Sequence, residues 1–339
     1  TLESCCRHLP PVSLLFGPLF VGGGMNGLLR LLQDGRFHSG RELGLALGVS
    51  RSAVWKHLQR IQSETGLPLY RVPGRGYRLA EPLSLFEHAK LEPRLKQYGW
   101  SLNLYDTIDS TNAEALRLLP DKDGEPFIVV AEAQTSGRGR RGRTWISPFG
   151  QNLYCSFALK VGGGTKQLAG MSLVVGLAVM QTLRRLGVEA GLKWPNDVYV
   201  DGRKIAGILL ELTGDPADLC HVVIGVGVNV NMVSAEGIDQ LWTSIKEQVG
   251  MVDRNELLLA LTETLKQYLE RHFDEGFSAL RAEWEASHIW QGRNCTLSTG
   301  SSEYSGVVIG VDLQGGLRMT LDGCEHSFSG GELSLRLDP

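Results

Sequence analysis

Gly137-Arg138-Gly139-Arg140-Arg141-Gly142-Arg143 sets four guanidinium groups among three glycines within seven residues. Arginine keeps its charge at any physiological pH and is almost never fully buried unpaired, so the run belongs at a surface. Its glycines permit left-handed backbone and close approach to a ligand. Two readings fit the composition: a mobile loop that wraps an anionic group such as phosphate, or a solvated basic patch that meets nucleic acid. Segments on either side decide between them.

The charge is unevenly spread. The chain has 339 residues, enough for two or three domains, and a formal net charge of −3. Residues 26–82 hold nine Lys/Arg against four Asp/Glu, and Glu3 cancels Arg7 before them, which leaves −8 for everything after. A basic front module on an acidic body assigns nucleic-acid contact to the front. The six cysteines (Cys5, Cys6, Cys155, Cys220, Cys295, Cys324) form no CxxC spacing. That excludes a zinc ribbon and a disulfide framework and fits a reducing cytoplasm. Residues 14–21 are apolar but too short to span a bilayer, and their flanks make a poor secretory signal, so no membrane partner is expected. We expect residues 1–24 to be a leader, non-native or disordered, with Met25 the initiator.

From 25 to 82 the pattern predicts a winged helix-turn-helix. Leu28, Leu29, Leu31 and Leu32 mark a first short helix. Ser39 caps a second, with Glu42 completing a capping box. Gly48-Val49 turns the chain, and Ser50 caps a third helix with Val54, Leu58 and Ile61 on one face. That third helix shows Arg51, Ser52, Lys56, His57 and Arg60 on its other side, suited to bases and phosphates in a major groove. Two short strands then flank Pro73-Gly74-Arg75-Gly76, which places Arg75 at the tip of a wing. A protein-interaction module is the competing reading, and the positive charge favours DNA.

Beyond a linking helix at 83–98, strands and helices alternate in the manner of an α+β domain with a mixed sheet (83–290). Strands are expected at 100–107, 127–133, 152–159, 192–199, 205–212 and 222–230, the fourth and fifth forming a hairpin about Asp201-Gly202. Ser110 or Thr111 caps a helix after 112, and residues 171–186 make a long apolar helix. Gly225-Val226-Gly227-Val228-Asn229 lacks the third glycine and the following helix of a dinucleotide fingerprint, and no Walker lysine loop occurs. Within Lys193-Trp194-Pro195-Asn196-Asp197, Asp197 faces Lys204 if the hairpin register allows it. The carboxylate then accepts a proton or helps hold a metal, and the ammonium meets developing negative charge. The plain alternative is a surface ion pair. No metal ligand set is readable. Short strands separated by Asp/Gly turns at 291–339 read as an SH3-like β-barrel.

Four segments in this order and spacing resemble the biotin–protein ligase family: Asp109-Ser110-Thr111-Asn112, the arginine loop with Thr144-Trp145, the Lys193 to Asp197 run, and Arg203-Lys204-Ile205-Ala206-Gly207-Ile208-Leu209. With the front module, the likeness to the family's bifunctional bacterial ligase–repressors covers residues 26–339. It implies ATP and Mg²⁺ as co-substrates, biotinyl-5'-AMP as intermediate, and transfer of biotin to a lysine of the biotin carboxyl carrier protein. By the same resemblance Lys204, Asp197 and Arg140 are catalytic. Ser110, Thr111, Asn112, Gln134, Arg138, Gly139, Arg140 and Lys204 hold biotin. Arg138, Arg140, Arg141, Arg143, Trp145, Asn196 and Asn229 line the nucleotide site. It also implies a homodimer when adenylate is bound, and an operator in DNA as second partner.

Overall fold

The computed structural model describes residues 25–162, 164–215, 219–299, 302–329 and 333–338. The leader expected at 1–24, with Cys5 and Cys6, lies outside the described residues. Two compact units divide between Leu83 and Ser84.

The first unit contains α1 (Met25–Leu32), α2 (Gly40–Leu47), α3 (Arg51–Thr65) and an antiparallel pair, β1 (Leu69–Val72) with β2 (Gly76–Leu79). The expected caps form. Ser39 Oγ accepts from Glu42 N at 3.1 Å while Glu42 Oε2 accepts from Ser39 N at 2.8 Å, and Ser50 Oγ accepts from Ala53 N at 3.2 Å. Such caps satisfy backbone donors that the first turn leaves free, each contributing about 1 kcal/mol. Leu28, Leu29, Leu32, Leu43, Val54, Leu58 and Ile61 are buried together as the module's core.

The second unit opens with α4 (His88–Gln97), shorter than the helix expected at 83–98. Residues 84–87 are not helical because a buried ion pair holds them extended. Arg254 and Glu132 pair directly, Arg254 Nε donates to Ser84 O at 2.8 Å, and Phe86 N donates to Glu132 Oε1 at 2.7 Å. A seven-stranded sheet follows. Its strands are β3 (Ser101–Ile108), β4 (Phe127–Gln134), β5 (Leu153–Gly162), β6 (Gly191–Lys193), β7 (Asp197–Val200), β8 (Arg203–Gly214) and β9 (Leu219–Val228), in the order β3-β4-β5-β9-β8-β7-β6. Only β3 and β4 run parallel; all other pairs are antiparallel, so the sheet is mixed. The single strand expected at 192–199 is instead two, because Trp194-Pro195-Asn196 makes a turn and proline cannot donate to a ladder.

Helices cover both faces of the sheet. α5 (Thr111–Leu118) packs with Phe127, Val129, Ala158 and Val223 on one side. On the other lie α7 (Met171–Arg185), preceded by the single turn α6 (Thr165–Leu168), and α9 (Arg254–Glu275), preceded by α8 (Ile245–Val249). α7 is buried around most of its circumference, which accounts for its apolar composition. The stretch Lys166–Arg185 is long and apolar enough to cross a membrane, yet most of it is inside this core.

After α10 (Arg281–Ser287) comes an antiparallel five-stranded sheet: β10 (Asn294–Ser298), β11 (Glu303–Val311), β12 (Leu317–Leu321), β13 (Cys324–Phe328) and β14 (Ser334–Leu337), in the order β13-β12-β11-β10-β14. Among the described residues its edges, β13 and β14, do not pair with each other. Its buried residues Cys295, Leu297, Val308, Leu317 and Met319 join the core of the larger sheet, and Trp194 Nε1 donates to Gly315 O at 3.0 Å.

Candidate functional site

Strand register builds the site on the α5 face. Tyr154, Gly227, Gly207 and Asp197 stand in one row across β5, β9, β8 and β7, and Ser156, Gly225 and Leu209 stand in the next such row. The glycines are there for room. A Cβ on Gly227 would lie 2.6 Å from Trp145, one on Gly207 3.1 Å from it, and one on Gly225 would collide with Asn112. Gly225-Val226-Gly227 is therefore a packing platform, a role that its failure as a nucleotide fingerprint left open.

Polar side chains form the floor. Gln134 Oε1 accepts from Thr111 N at 2.9 Å, and Gln134 Nε2 donates to Ser147 Oγ at 2.9 Å. Ser156 Oγ lies 2.8 Å from Thr111 Oγ1 and 2.6 Å from Asn112 Oδ1. Asn112 Nδ2 donates to Glu211 Oε2 at 2.8 Å, and Ser110 caps α5. These residues enclose a cavity of about 50 Å³ whose wall includes Ser110, Thr111, Asn112, Gln134, Trp145 and Lys204.

The arginine loop covers this cavity. It is a tight hairpin, with Gly139 N donating to Arg143 O at 2.7 Å and Trp145 N to Gly137 O at 2.9 Å. Arg141 turns it through the left-handed region, φ 59°. Arg140 is the half-buried arginine of the loop; Arg138, Arg141 and Arg143 are exposed. Arg140 Nη1 donates to Asn196 Oδ1 at 3.1 Å. Burial draws its pKa below the ordinary guanidinium value, Asp197 opposes the shift, and Arg141 adds to it. Arg138 instead reaches Glu211, Nη2 to Oε2 at 2.8 Å.

Beside the loop, Lys204 Nζ sits 2.7 Å from Asp197 Oδ1 and 5.4 Å from the centre of the Trp145 ring. The bulge between Val198 and Tyr199 lets the two side chains meet although Asp197 registers with Gly207. Lys193 Nζ contacts Tyr199 Oη at 3.3 Å and lies 4.7 Å from the Trp290 ring; burial lowers its pKa, against the pull of Asp197. A second cavity of about 380 Å³ continues from here, lined by Arg140, Arg141, Arg143, Trp145, Lys193, Asp197, Lys204 and Asn229. Trp145 Nε1 is buried there without a partner among the described residues. Asn229 forms part of that wall, but its amide is spent on Thr243 O at 3.0 Å. Among the described residues no cluster of His, Cys, Asp and Glu suits a resident metal.

On α3 of the front module, Arg51, Ser52, Lys56 and Arg60 are exposed and His57 is half-buried. Arg60 is paired with Glu64 at 2.6 Å, and the Arg75 guanidinium lies over Phe37, 4.4 Å from the ring centre. Trp55, 43% exposed, stands on the same side as Ser52, Lys56 and Gln59; sequence reasoning passed over it, though its helical spacing from those residues marks it. Glu211, Ser156 and Ser147 were missed as well. A lone polar residue inside an apolar strand was the available signal for the first two.

Family comparisons agree with this geometry. Residues 104–229 match the biotin/lipoate A/B protein ligase family, and residues 26–78 match a helix-turn-helix domain. The chain belongs to that ligase family. It is 40% identical over 313 residues to the bifunctional ligase/repressor BirA of Escherichia coli K12, covering 91% of this chain and 96% of that one. The bifunctional ligase/repressor BirA of Bacillus subtilis is 30% identical over 301 residues, covering 86% and 92%. Among solved structures, the biotin protein ligase of Aquifex aeolicus in complex with biotin and ATP superposes with a TM-score of 0.61 at 30% identity, covering 70% of this chain and 99% of that chain.

Proposed function

We propose that this protein is an ATP-dependent biotin–protein ligase that also represses transcription. The observation that carries the reading is that Arg140 and Lys204 line both a polar-floored pocket and a larger cationic cavity, with Asp197 paired to Lys204 on the wall of the larger one. Biotin enters head first. Its ureido ring offers N–H donors and a carbonyl acceptor to Ser110, Thr111, Asn112 and Gln134. A carboxylate oxygen then attacks the α-phosphorus of ATP, the bond to the bridging oxygen breaks, and pyrophosphate leaves. Charge grows on the phosphate oxygens in that step, and preorganised cations stabilise it most effectively in a partly desolvated site. Lys204 and Arg140 meet the carboxylate and α-phosphate. Arg138 and Gly139 belong to the lid over them, and Arg141, Arg143, Trp145, Asn196 and Asn229 border the nucleotide. ATP would arrive as its Mg²⁺ complex, the metal held mainly by the phosphates and neutralising their charge; Asp239 on the cavity wall would be the carboxylate to add to it, since Asp197 is paired with Lys204. In the second half-reaction the amine of a lysine on the biotin carboxyl carrier protein attacks the acyl carbon, AMP leaves, and Asp197 takes the ammonium proton.

The repressor role rests on the basic front module. β1 and β2 act as its wing, with Arg75 near the tip, and Arg51, Ser52, Lys56, His57 and Arg60 face DNA. Biotinyl-adenylate is the corepressor: bound and unused, it favours a homodimer whose two modules read two operator half-sites. We read the segment from 291 as an SH3-like domain and the protein as cytoplasmic.

Incubating the protein with biotin, MgATP and carrier protein tests the enzyme directly, with biotinylated carrier as the expected product. No product would overturn the ligase reading in favour of a ligand-binding regulator. Lipoate ligation, the other activity in the family's name, is separated by ATP–pyrophosphate exchange with biotin against lipoate. Lipoate's dithiolane ring offers nothing to the polar floor, and an unmatched buried polar group costs about 1–3 kcal/mol. A dimer affinity indifferent to biotinyl-adenylate would remove the corepressor role.

A further inference from the structure

The floor of the pocket and the arginine loop above it are joined through one carboxylate. Glu211 lies in the second half of β8, the single charged residue in Ile208-Leu209-Leu210-Glu211-Leu212. Its Oε2 accepts from Asn112 Nδ2 at 2.8 Å on one side and from Arg138 Nη2 at 2.8 Å on the other. Asn112 is 3% exposed and has no freedom to turn: Nδ2 also donates to Leu209 O at 3.2 Å, and Oδ1 is held by Ser156 Oγ at 2.6 Å. Ser156 continues to Thr111, Thr111 to Gln134, Gln134 to Ser147, and Ser147 Oγ to Trp145 O at 2.9 Å. Polar contacts thus run from the first arginine of the loop, beneath the pocket, to the residues that end the loop. Glu211 is the point at which the rigid part of this chain meets the lid.

We propose that Glu211 is the positioning residue for the lid. Its carboxylate, fixed from below by Asn112, anchors the Arg138 guanidinium and so holds residues 137–143 closed over bound biotinyl-adenylate. A charge-assisted hydrogen bond is about twice as strong as a neutral one, and here one partner is already immobilised, so little ordering entropy opposes it. The Arg138 side chain then serves Glu211 and leaves the ligand's charge to Arg140 and Lys204. The inference rests on the proposed ligase function.

The test uses the full chain and trypsin, for which the loop supplies four cleavage sites. Wild-type loop is expected to be cut slowly when biotin and MgATP are present and faster without them. Glu211→Gln keeps an acceptor for Asn112 but loses the charge. Its loop should be cut with ligands present, and preformed biotinyl-adenylate should leave about tenfold faster, equivalent to about 1.4 kcal/mol of closure. Arg138→Leu removes the anchor from the exposed side without touching the buried floor and should behave alike. Arg138→Lys keeps a cation opposite Glu211 and a trypsin site in the loop, and it should retain most of the protection that Arg138→Leu loses, which a merely structural fault at the site would not do. Wild-type protection and release rate in Glu211→Gln and Arg138→Leu would overturn the clamp alone. A wild-type loop cut equally with and without ligands would overturn the lid along with it.

Discussion

Lys204 Nζ stands 2.7 Å from Asp197 Oδ1, with side chains only 13% and 17% exposed, on adjacent strands of one sheet. An exposed pair of this kind would contribute little, but this one closes the end of a cavity and shares its ammonium with the face of Trp145. The lysine is thereby held ready for a second anion. Lys204→Ala should reduce biotin-dependent ATP–pyrophosphate exchange at least about 100-fold, the scale for losing one preorganised electrostatic group. Circular dichroism should report an intact fold. Exchange within a few-fold of wild type would refute the assignment.

Arg140 is the one loop arginine that is half-buried, tied to Asn196 Oδ1 at 3.1 Å. Arg140→Ala should therefore loosen the closed state as well as slow adenylation. Escaped biotinyl-adenylate would label lysines on an unrelated protein such as added albumin, visible by avidin blot. Retention of the adenylate at the wild-type level would count against the lid.

Gly227 carries the Trp145 ring, and an added Cβ would fall 2.6 Å from it. Gly227→Ala should displace the indole and cost about 1–3 kcal/mol, the usual scale of overpacking. The denaturant midpoint and tryptophan emission should shift together, and exchange activity should fall. Unchanged emission and activity would mean that the ring does not rest on this platform.

His288 stacks on Trp284, 4.7 Å between ring centres, and is 5% exposed; burial brings its pKa down to about 4, only partly opposed by Gln291. In the unfolded chain the same ring titrates near 6.5. The unfolded state therefore binds the proton first, and stability is full above pH 6.5 and declines as pH falls towards 4. The loss amounts to roughly 3 kcal/mol across that window. His288→Asn should flatten the dependence of unfolding free energy on pH between 6.5 and 4. An unaltered slope would place the titrating group elsewhere.

On the front module, Lys56 is exposed on α3, while Arg60 is engaged by Glu64. Lys56→Ala should weaken binding to operator DNA and lower the slope of log affinity against log salt by about one, the signature of one lost phosphate contact. Arg60→Ala should do less. Equal salt slopes for wild type and Lys56→Ala would exclude a phosphate contact there.

Much of the fold was legible because its signals are local. Ser39 with Glu42 and Ser50 before Val54, Leu58 and Ile61 specify caps and a buried stripe within a few residues of each other, and they appear where expected. Asp201-Gly202 likewise turns β7 into β8. The helix expected at 83–98 and the strand expected at 192–199 failed where distant groups decide the outcome. Arg254 and Glu132 hold residues 84–87 out of a helix, and the Trp194-Pro195-Asn196 turn divides the strand.

The sequence alone determined a basic helical module ahead of an α+β body, a charged glycine loop, and the order of the segments that carry the chemistry. Tertiary structure decided which of the loop's arginines faces the pocket, why two glycines on β9 are required, and that Glu211 joins Asn112 to Arg138. Asn112 and Glu211 are 99 residues apart, Arg138 and Glu211 are 73 apart. Periodicity and capping act over a turn or two of helix or a few strand positions. Contacts across that much chain are set by strand register and by what the packed faces leave room for, and no local pattern records either.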